Sequence, residues 1–194
     1  MARNRLILAS ASPRRIKLLE QIGITPSLVI PAMIDETPHK AERPSEFAKR
    51  MAIAKASHIA NLNKNEYILA ADTVVAIGRT IFPKAETKDD VYKFITRLGG
   101  RNHRVYGGIC LIQPGGRVWK RLVETRVFMR RLSNDELTSY VDFDDWRGKA
   151  GGYAIQGRAA QYIKQISGSY SNVVGLDLYT TSKLLRGVGF ENGQ

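Results

Sequence analysis

The chain has a single cysteine, Cys110, so no internal disulfide framework can form. Cys110 lies in an apolar run and reads as a small core residue. No uninterrupted apolar segment approaches the roughly 20 residues that cross a membrane. Met1–Ala9 is too short for a signal peptide and lacks a cleavage region. These absences together favour the cytoplasm and exclude a membrane partner. The histidines His39, His58 and His103 show no metal-ligand spacing and no triad partner. They are expected in surface or packing roles. There is no Walker-type loop, no dinucleotide-binding glycine fingerprint and no zinc pattern. Aromatic residues make up 8% of the chain and do not alternate with basic ones as in RNA-binding sheets. Carboxylates are scarce, with 18 Asp+Glu against 30 Lys+Arg and a formal charge of +12. That imbalance calls for an anionic partner. The charge is spread along the chain without a basic tail, so nucleic acid is not the expected one.

At 194 residues, 43% hydrophobic and 25% charged, the chain can bury a sizeable core and is expected to form one domain over 1–194. Patterning predicts strands at Arg5–Ala9, Leu28–Ala32, Tyr67–Ile77, Thr80–Phe82, Val105–Gln113, Val118–Arg130, Tyr153–Gln156 and Ala159–Ile166. Helices are predicted at Pro13–Ile22, stopped by Gly23, at Ser45–Asn61, and around Thr180–Arg186. Thr87/Asp90 and Ser133/Glu136 have capping-box spacing and open two more helices. Pro114-Gly115-Gly116 signals a hairpin. Strands alternate with helices early and a long hairpin follows, so the fold class is α/β with a mixed sheet.

The most informative segment is Leu6-Ile7-Leu8-Ala9-Ser10-Ala11-Ser12-Pro13-Arg14-Arg15. Proline suits a first helical position, and Ser12 is placed to cap that helix. Arg14 and Arg15 oppose the positive end of the helix dipole unless an anion sits between them. A phosphate resolves that conflict; two solvated arginines on a turn are the plainer alternative. Asp72 interrupts the apolar run Tyr67–Ile77, where an unpaired carboxylate costs several kcal/mol, about enough to demand a cation, donors or a metal. Lys55 fills a slot in the apolar stripe Ala48, Met51, Ala52, Ile59 and either snorkels or enters a polar pocket. Asp35-Glu36 on a loop suits Mg²⁺ or plain solvation. Lys84 follows Pro83, which fixes the local backbone. Gln156, set between Gly151-Gly152 and Gly157, offers a donor and an acceptor to a base edge.

Taken together, these segments resemble the Maf family, also called septum-formation-like proteins, which are nucleoside triphosphate pyrophosphatases. The resemblance rests on Ser10-Ala11-Ser12-Pro13-Arg14-Arg15, Asp35-Glu36, Ala54-Lys55-Ala56, Ala71-Asp72-Thr73-Val74, Lys84 and Leu98-Gly99-Gly100-Arg101. It continues through Lys149-Ala150-Gly151-Gly152-Tyr153-Ala154-Ile155-Gln156-Gly157 and Tyr170–Leu176. So many ordered segments are more specific than any one of them. The resemblance implies a twisted mixed sheet flanked by helices, bilobed with a central cleft. The Tyr-x-Ile-Gln-Gly version of the late motif implies the branch acting on dTTP and UTP, a house-cleaning activity linked to cell-division arrest. It implies Asp72 as proton acceptor and Arg14, Thr73 and Gln156 as specificity positions.

The physical reading alone reaches a phosphorylated ligand; the reaction and the base come from the resemblance. Arg14, Arg15, Lys55 and Lys84 are expected to neutralise a triphosphate, and Ser10 and Ser12 to donate to it. Glu36 and Asp72 are expected near a divalent metal, Mg²⁺ or alternatively Mn²⁺. Gln156 is expected to be held in one orientation by its glycine-bounded backbone and Thr73. A homodimer is compatible with this reading. The rivals are a pyrophosphatase for modified or other nucleotides and a non-enzymatic nucleic-acid-binding division regulator. Two segments depart from many relatives: Pro83-Lys84-Ala85, and Trp146-Arg147-Gly148-Lys149, which lacks an acidic residue at the pocket rim.

Overall fold

The computed structural model describes residues 5–190; Met1–Asn4, part of the segment weighed as a signal peptide, lie outside them. The elements run β1 (Leu6–Leu8), α1 (Pro13–Gln21), β2 (Leu28–Val29), α2 (Pro44–Ala60), β3 (Tyr67–Ile77) and β4 (Thr80–Phe82). They continue with α3 (Lys88–Leu98), β5 (Arg101–Ile112), β6 (Val118–Met129), α4 (Asn134–Asp142), β7 (Ile163–Ser167), α5 (Tyr170–Val174) and α6 (Leu178–Gly187). The sheet has seven strands in the order β2-β1-β3-β5-β6-β7, with β4 pairing β3. Strand β1 runs parallel to β2 and β3, and the remaining pairs are antiparallel. This is the mixed sheet flanked by helices that the sequence implies.

Side chains alternate across the strands, and the two faces differ. Leu6, Leu8, Leu69, Ala71, Val75, Val105, Ile109 and Leu111 join one large apolar cluster with α1, α3, α4 and α6. Ile7, Ala9, Ile68, Ala70 and Cys110 face α2. Helix α2 comes very close to the sheet because Gly108 offers no side chain; a Cβ there would collide with the Ala48 carbonyl. Its neighbour Gly107 makes the same room on the opposite face for Asn172 of α5. Asn172 Nδ2 donates to the Val105 carbonyl at 3.1 Å and to Thr125 Oγ1 at 3.0 Å, which fastens α5 to the sheet.

Both predicted capping boxes form, at Thr87/Asp90 and at Ser133/Glu136. Other predictions need correction. Tyr153–Gln156 is a turn, because Gly151 and Gly152 take φ of +72° and +70°, which strands do not use. Ala159–Ile166 divides into a 3₁₀ turn, Arg158–Tyr162, and β7; Asp145 Oδ2 accepts the Arg158 N–H at 2.9 Å and starts the turn. The second strand is only Leu28–Val29. Strand β5 begins earlier than predicted, at Arg101, since His103 and Val105 point inward while Arg104 reaches Glu124 at the surface. Helices α5 and α6 are capped by Ser169 and Asp177, and α5 has no counterpart among the predicted elements.

Candidate active site

Strand β1 pairs with Tyr67–Leu69 of β3, and β4 pairs with Val75–Ile77. Between them the edge of β3 lies open at Ala70–Val74, beyond the carboxyl end of β1. Such ends are where parallel strands leave room for a ligand. A cleft of about 490 Å³ opens here. Its walls come from the β1–α1 loop, Glu36, Lys55 of α2, Asp72 and Thr73 of β3, Lys84, the Gly148–Gln156 segment and the Val173–Gly175 end of α5.

Lys55 does not snorkel. Its Nζ lies 2.6 Å from Asp72 Oδ1 and 2.8 Å from Glu36 Oε1, and its side chain is only 9% exposed. The apolar stripe of α2 seats it beneath the sheet, and the two carboxylates offset its desolvation. Glu36 also meets Lys84 Nζ at 3.5 Å. Partial burial would raise the Glu36 carboxyl, but the hydrogen bond and charge of Lys55, with help from Lys84, hold it below its ordinary range. Asp35 takes no part. It is exposed, and its Oδ1 accepts the Thr37 N–H at 2.9 Å, so the paired-carboxylate reading reduces to Glu36.

Ser12 stands at the N-cap of α1, but its side chain makes no cap bond, contrary to expectation. Its backbone N–H donates instead to Ser10 Oγ at 3.1 Å. The Ser12 hydroxyl is left to the cleft. Arg14 Nε donates to the Val174 carbonyl at 3.2 Å, and burial lowers the guanidinium from its ordinary range. Arg15 is buried and turned into the wall. It donates to the Gly175 carbonyl at 2.9 Å, to Ser10 Oγ at 3.0 Å and to Thr73 Oγ1 at 3.2 Å. Burial lowers it too, while Asp72 pulls the other way. The cleft thus brings together Ser10, Ser12, Arg14, Arg15, Glu36, Lys55, Asp72, Thr73, Lys84 and Gln156. Gln156 is exposed, and its side chain makes no hydrogen bond among the described residues; Thr73 bonds Arg15 and Gly175 and does not hold it.

The model of a family described as Maf-like protein matches residues 5–188. The chain belongs to the Maf family. A Maf relative from Mesorhizobium japonicum, named dTTP/UTP pyrophosphatase, is 54% identical over 193 residues, covering 96% of this chain and 93% of its own. One from Paramagnetospirillum magneticum, with the same name, is 55% identical over 185 residues, covering 95% and 97%. A solved Ham1 protein from Staphylococcus aureus is similar at 16% identity and a TM-score of 0.46, covering 66% of this chain and 73% of that one.

The sequence reading missed two residues that line this Maf cleft, Lys149 and Gly175, and two that lie behind it, Gly107 and Gly108. Lys149 lines the cleft; burial lowers its ammonium and the charge of Arg14 lowers it further. Gly107 and Gly108 lie directly opposite Thr73 and Asp72 in the β3–β5 register. Paired glycines inside an apolar strand signal close backbone approach, and that signal was available. Gly175 takes φ +145°, which ordinary side chains rarely adopt, and its carbonyl receives Arg15. Lys84 is placed by an isolated bridge to Ala150, and the Ala85 N–H donates to the Lys149 carbonyl at 3.1 Å. With the Gly148 N–H donating to the Ala85 carbonyl at 2.9 Å, these contacts tie residues 83–85 to residues 146–150.

Proposed function

We propose that this Maf protein hydrolyses dTTP and UTP to the nucleoside monophosphate and pyrophosphate, as a single domain over residues 1–194 working in the cytoplasm. The observation that carries the reading is Lys55, bracketed by Asp72 and Glu36 inside a cleft whose other charged residues, Arg14, Arg15, Lys84 and Lys149, are all cations. A triphosphate supplies the anion those cations lack, and the names of the relatives at about half identity supply the base. Among the described residues no helix is long and apolar enough to cross a membrane.

Water attacks the α-phosphorus, its oxygen forms the new P–O bond, and the bond to the α–β bridging oxygen breaks. Asp72 accepts the water proton, and pyrophosphate leaves with the bridging oxygen. Lys55, 2.6 Å from Asp72 Oδ1, orients the carboxylate for that transfer. Arg14, Lys84 and Lys149 hold the phosphates, with the Ser10 and Ser12 hydroxyls donating. Most of the rate comes from positioning and charge stabilisation.

A divalent ion fits these residues. Glu36 and Asp72 are brought close together by Lys55, which engages Glu36 Oε1 and Asp72 Oδ1 and leaves Asp72 Oδ2 and Glu36 Oε2 as the oxygens that could reach a second cation. Among the described residues no group of three or more His, Cys, Asp or Glu forms a metal cage. That suits Mg²⁺, which keeps its waters and is held by one or two carboxylates together with substrate phosphates. Glu36 and Asp72 would hold it, and when bound it neutralises charge developing on the phosphate oxygens. The test is a panel of nucleoside triphosphates with Mg²⁺, resolving pyrophosphate from orthophosphate. Primary release of orthophosphate and diphosphate would overturn the reading.

A further inference from the structure

A hydroxyl has one proton to give and two lone pairs with which to accept. In the cleft, Ser10 and Thr73 spend these in opposite ways, and one side chain governs both. Ser10 Oγ accepts from the Ser12 N–H at 3.1 Å and from Arg15 Nη1 at 3.0 Å. Its lone pairs are taken, so the proton is what it has left to offer. Thr73 Oγ1 accepts from Arg15 Nη2 at 3.2 Å and donates to the Gly175 carbonyl at 3.3 Å. Its proton is spent, and a lone pair remains. Arg15 Nε anchors on that same Gly175 carbonyl at 2.9 Å. The buried, planar guanidinium therefore sits fixed between the two hydroxyls.

We propose that Arg15 is a positioning residue that sets hydrogen-bond polarity in the cleft, making Ser10 a donor for phosphate oxygens and Thr73 an acceptor for the N3–H of uracil or thymine. The proposal rests on the reading of the cleft as a dTTP/UTP site. It assigns Arg15 a role other than the expected phosphate contact. Uracil and thymine present a donor at N3, whereas cytosine presents a lone pair. Against a fixed acceptor, cytosine meets lone pair with lone pair, and neither group is satisfied. Gln156 alone does not supply this rejection. Its amide is unheld, and turning it over exchanges donor for acceptor. A hydroxyl locked by Arg15 and the Gly175 carbonyl has no such freedom.

The experiment measures kcat/KM for UTP and CTP, by pyrophosphate release, in wild type and four variants. Wild type is expected to prefer UTP. Thr73→Val removes the hydroxyl but keeps the shape, and should lower the UTP-to-CTP ratio by about tenfold or more, the loss associated with one buried hydrogen bond. Thr73→Ser restores the hydroxyl and should restore the ratio. Arg15→Lys lacks the planar fork, so it should lower the ratio by a similar factor, with CTP improving relative to UTP. In the Thr73→Val background, Arg15→Lys should change the ratio no further, because both act through one hydroxyl. A ratio that survives Thr73→Val overturns the polarity assignment even if Arg15→Lys fails to fold. Equal losses for UTP and CTP in Arg15→Lys, with a raised KM for both, make Arg15 a phosphate ligand and overturn the positioning role. A wild type with no preference for UTP overturns the substrate reading and this inference together.

Discussion

On one face of the sheet, side chains of β1, β3, β5 and β6 form a single continuous apolar cluster with α1, α3, α4 and α6. On the other face, beneath α2, the apolar surface is broken in two, with Ile68 and Ala70 in one cluster and Val74 in the next. Asp72 occupies the break, held by Lys55 from the helix. On the continuous face several polar side chains pair internally, although His103 Nδ1, Asn172 Oδ1 and Thr181 Oγ1 have no hydrogen-bond partner among the described residues. Trp146 Nε1 donates to the Val141 carbonyl at 2.8 Å, Tyr140 to the Gly152 carbonyl at 3.0 Å, and His103 pairs with the Tyr153 hydroxyl at 2.7 Å. The interrupted face leaves its charges at the edge of a cleft. A core optimised for stability alone would fill that break with apolar side chains, since buried ion pairs seldom outperform them. The break is therefore where stability yields to chemistry.

The largest effects should separate the faces most cleanly. Trp146 is fully buried in the continuous cluster, so Trp146→Ala should cost about 3–5 kcal/mol in urea unfolding. On the other face, Lys55→Met leaves Asp72 buried without its ammonium and should cost a similar ~3–5 kcal/mol. Adding Asp72→Leu to Lys55→Met should recover that stability while abolishing turnover. If the double variant is as unstable as the single one, the pair is structural and the contrast between faces fails.

Asp72→Asn is nearly isosteric and should keep the fold while lowering turnover by at least about 10²-fold. Activity near wild type in a pyrophosphate assay would remove Asp72 from the chemistry.

A pH series probes the continuous face. Burial lowers His103 to about 4, from an unfolded value near 6.5. The folded state therefore favours the neutral ring, and between those values the unfolded state binds more protons. Stability should fall as pH drops from about 6.5 to 4, by at most about 1.4 kcal/mol per unit. Chemical denaturation of wild type and His103→Gln at pH 7 and 4.5 checks this, and the variant should show the shallower dependence. Glu36 gives the opposite face its own trend. Its carboxyl is held low, so its contribution is complete above the ordinary carboxylate range and fades as pH falls through the folded value. With a side chain 40% exposed, that contribution is small.

The smallest effect should be the most selective. Gln156→Ala should lower kcat/KM for dTTP and UTP, and for CTP through the turned-over amide, while leaving ATP and GTP nearly unchanged. An equal fall on all five would assign Gln156 to the fold or the phosphates.

Much of this was legible in the chain. Local chemistry is written in local sequence, so β3, β4, the hairpin and both capping boxes follow from alternation, turn residues and cap spacing. Asp72 announced itself as a charge in an apolar strand, because a misplaced carboxylate is costly, whereas Lys55 in its helical stripe was as compatible with snorkelling to solvent. What the sequence could not supply was who pairs with whom. Lys55 and Asp72 stand 17 positions apart and meet only because Gly108 lets α2 settle on the sheet. Asp35 and Glu36 read alike, yet one bonds its own loop and the other crosses to α2. Arg14 and Arg15 also read alike, and the carbonyls that engage them, Val174 and Gly175, each lie 160 positions downstream. Residue identity determined which hydroxyls, charges and amides were available. Tertiary contact decided which lone pairs and protons remained free, because a hydrogen bond already made within the wall is no longer available to a substrate.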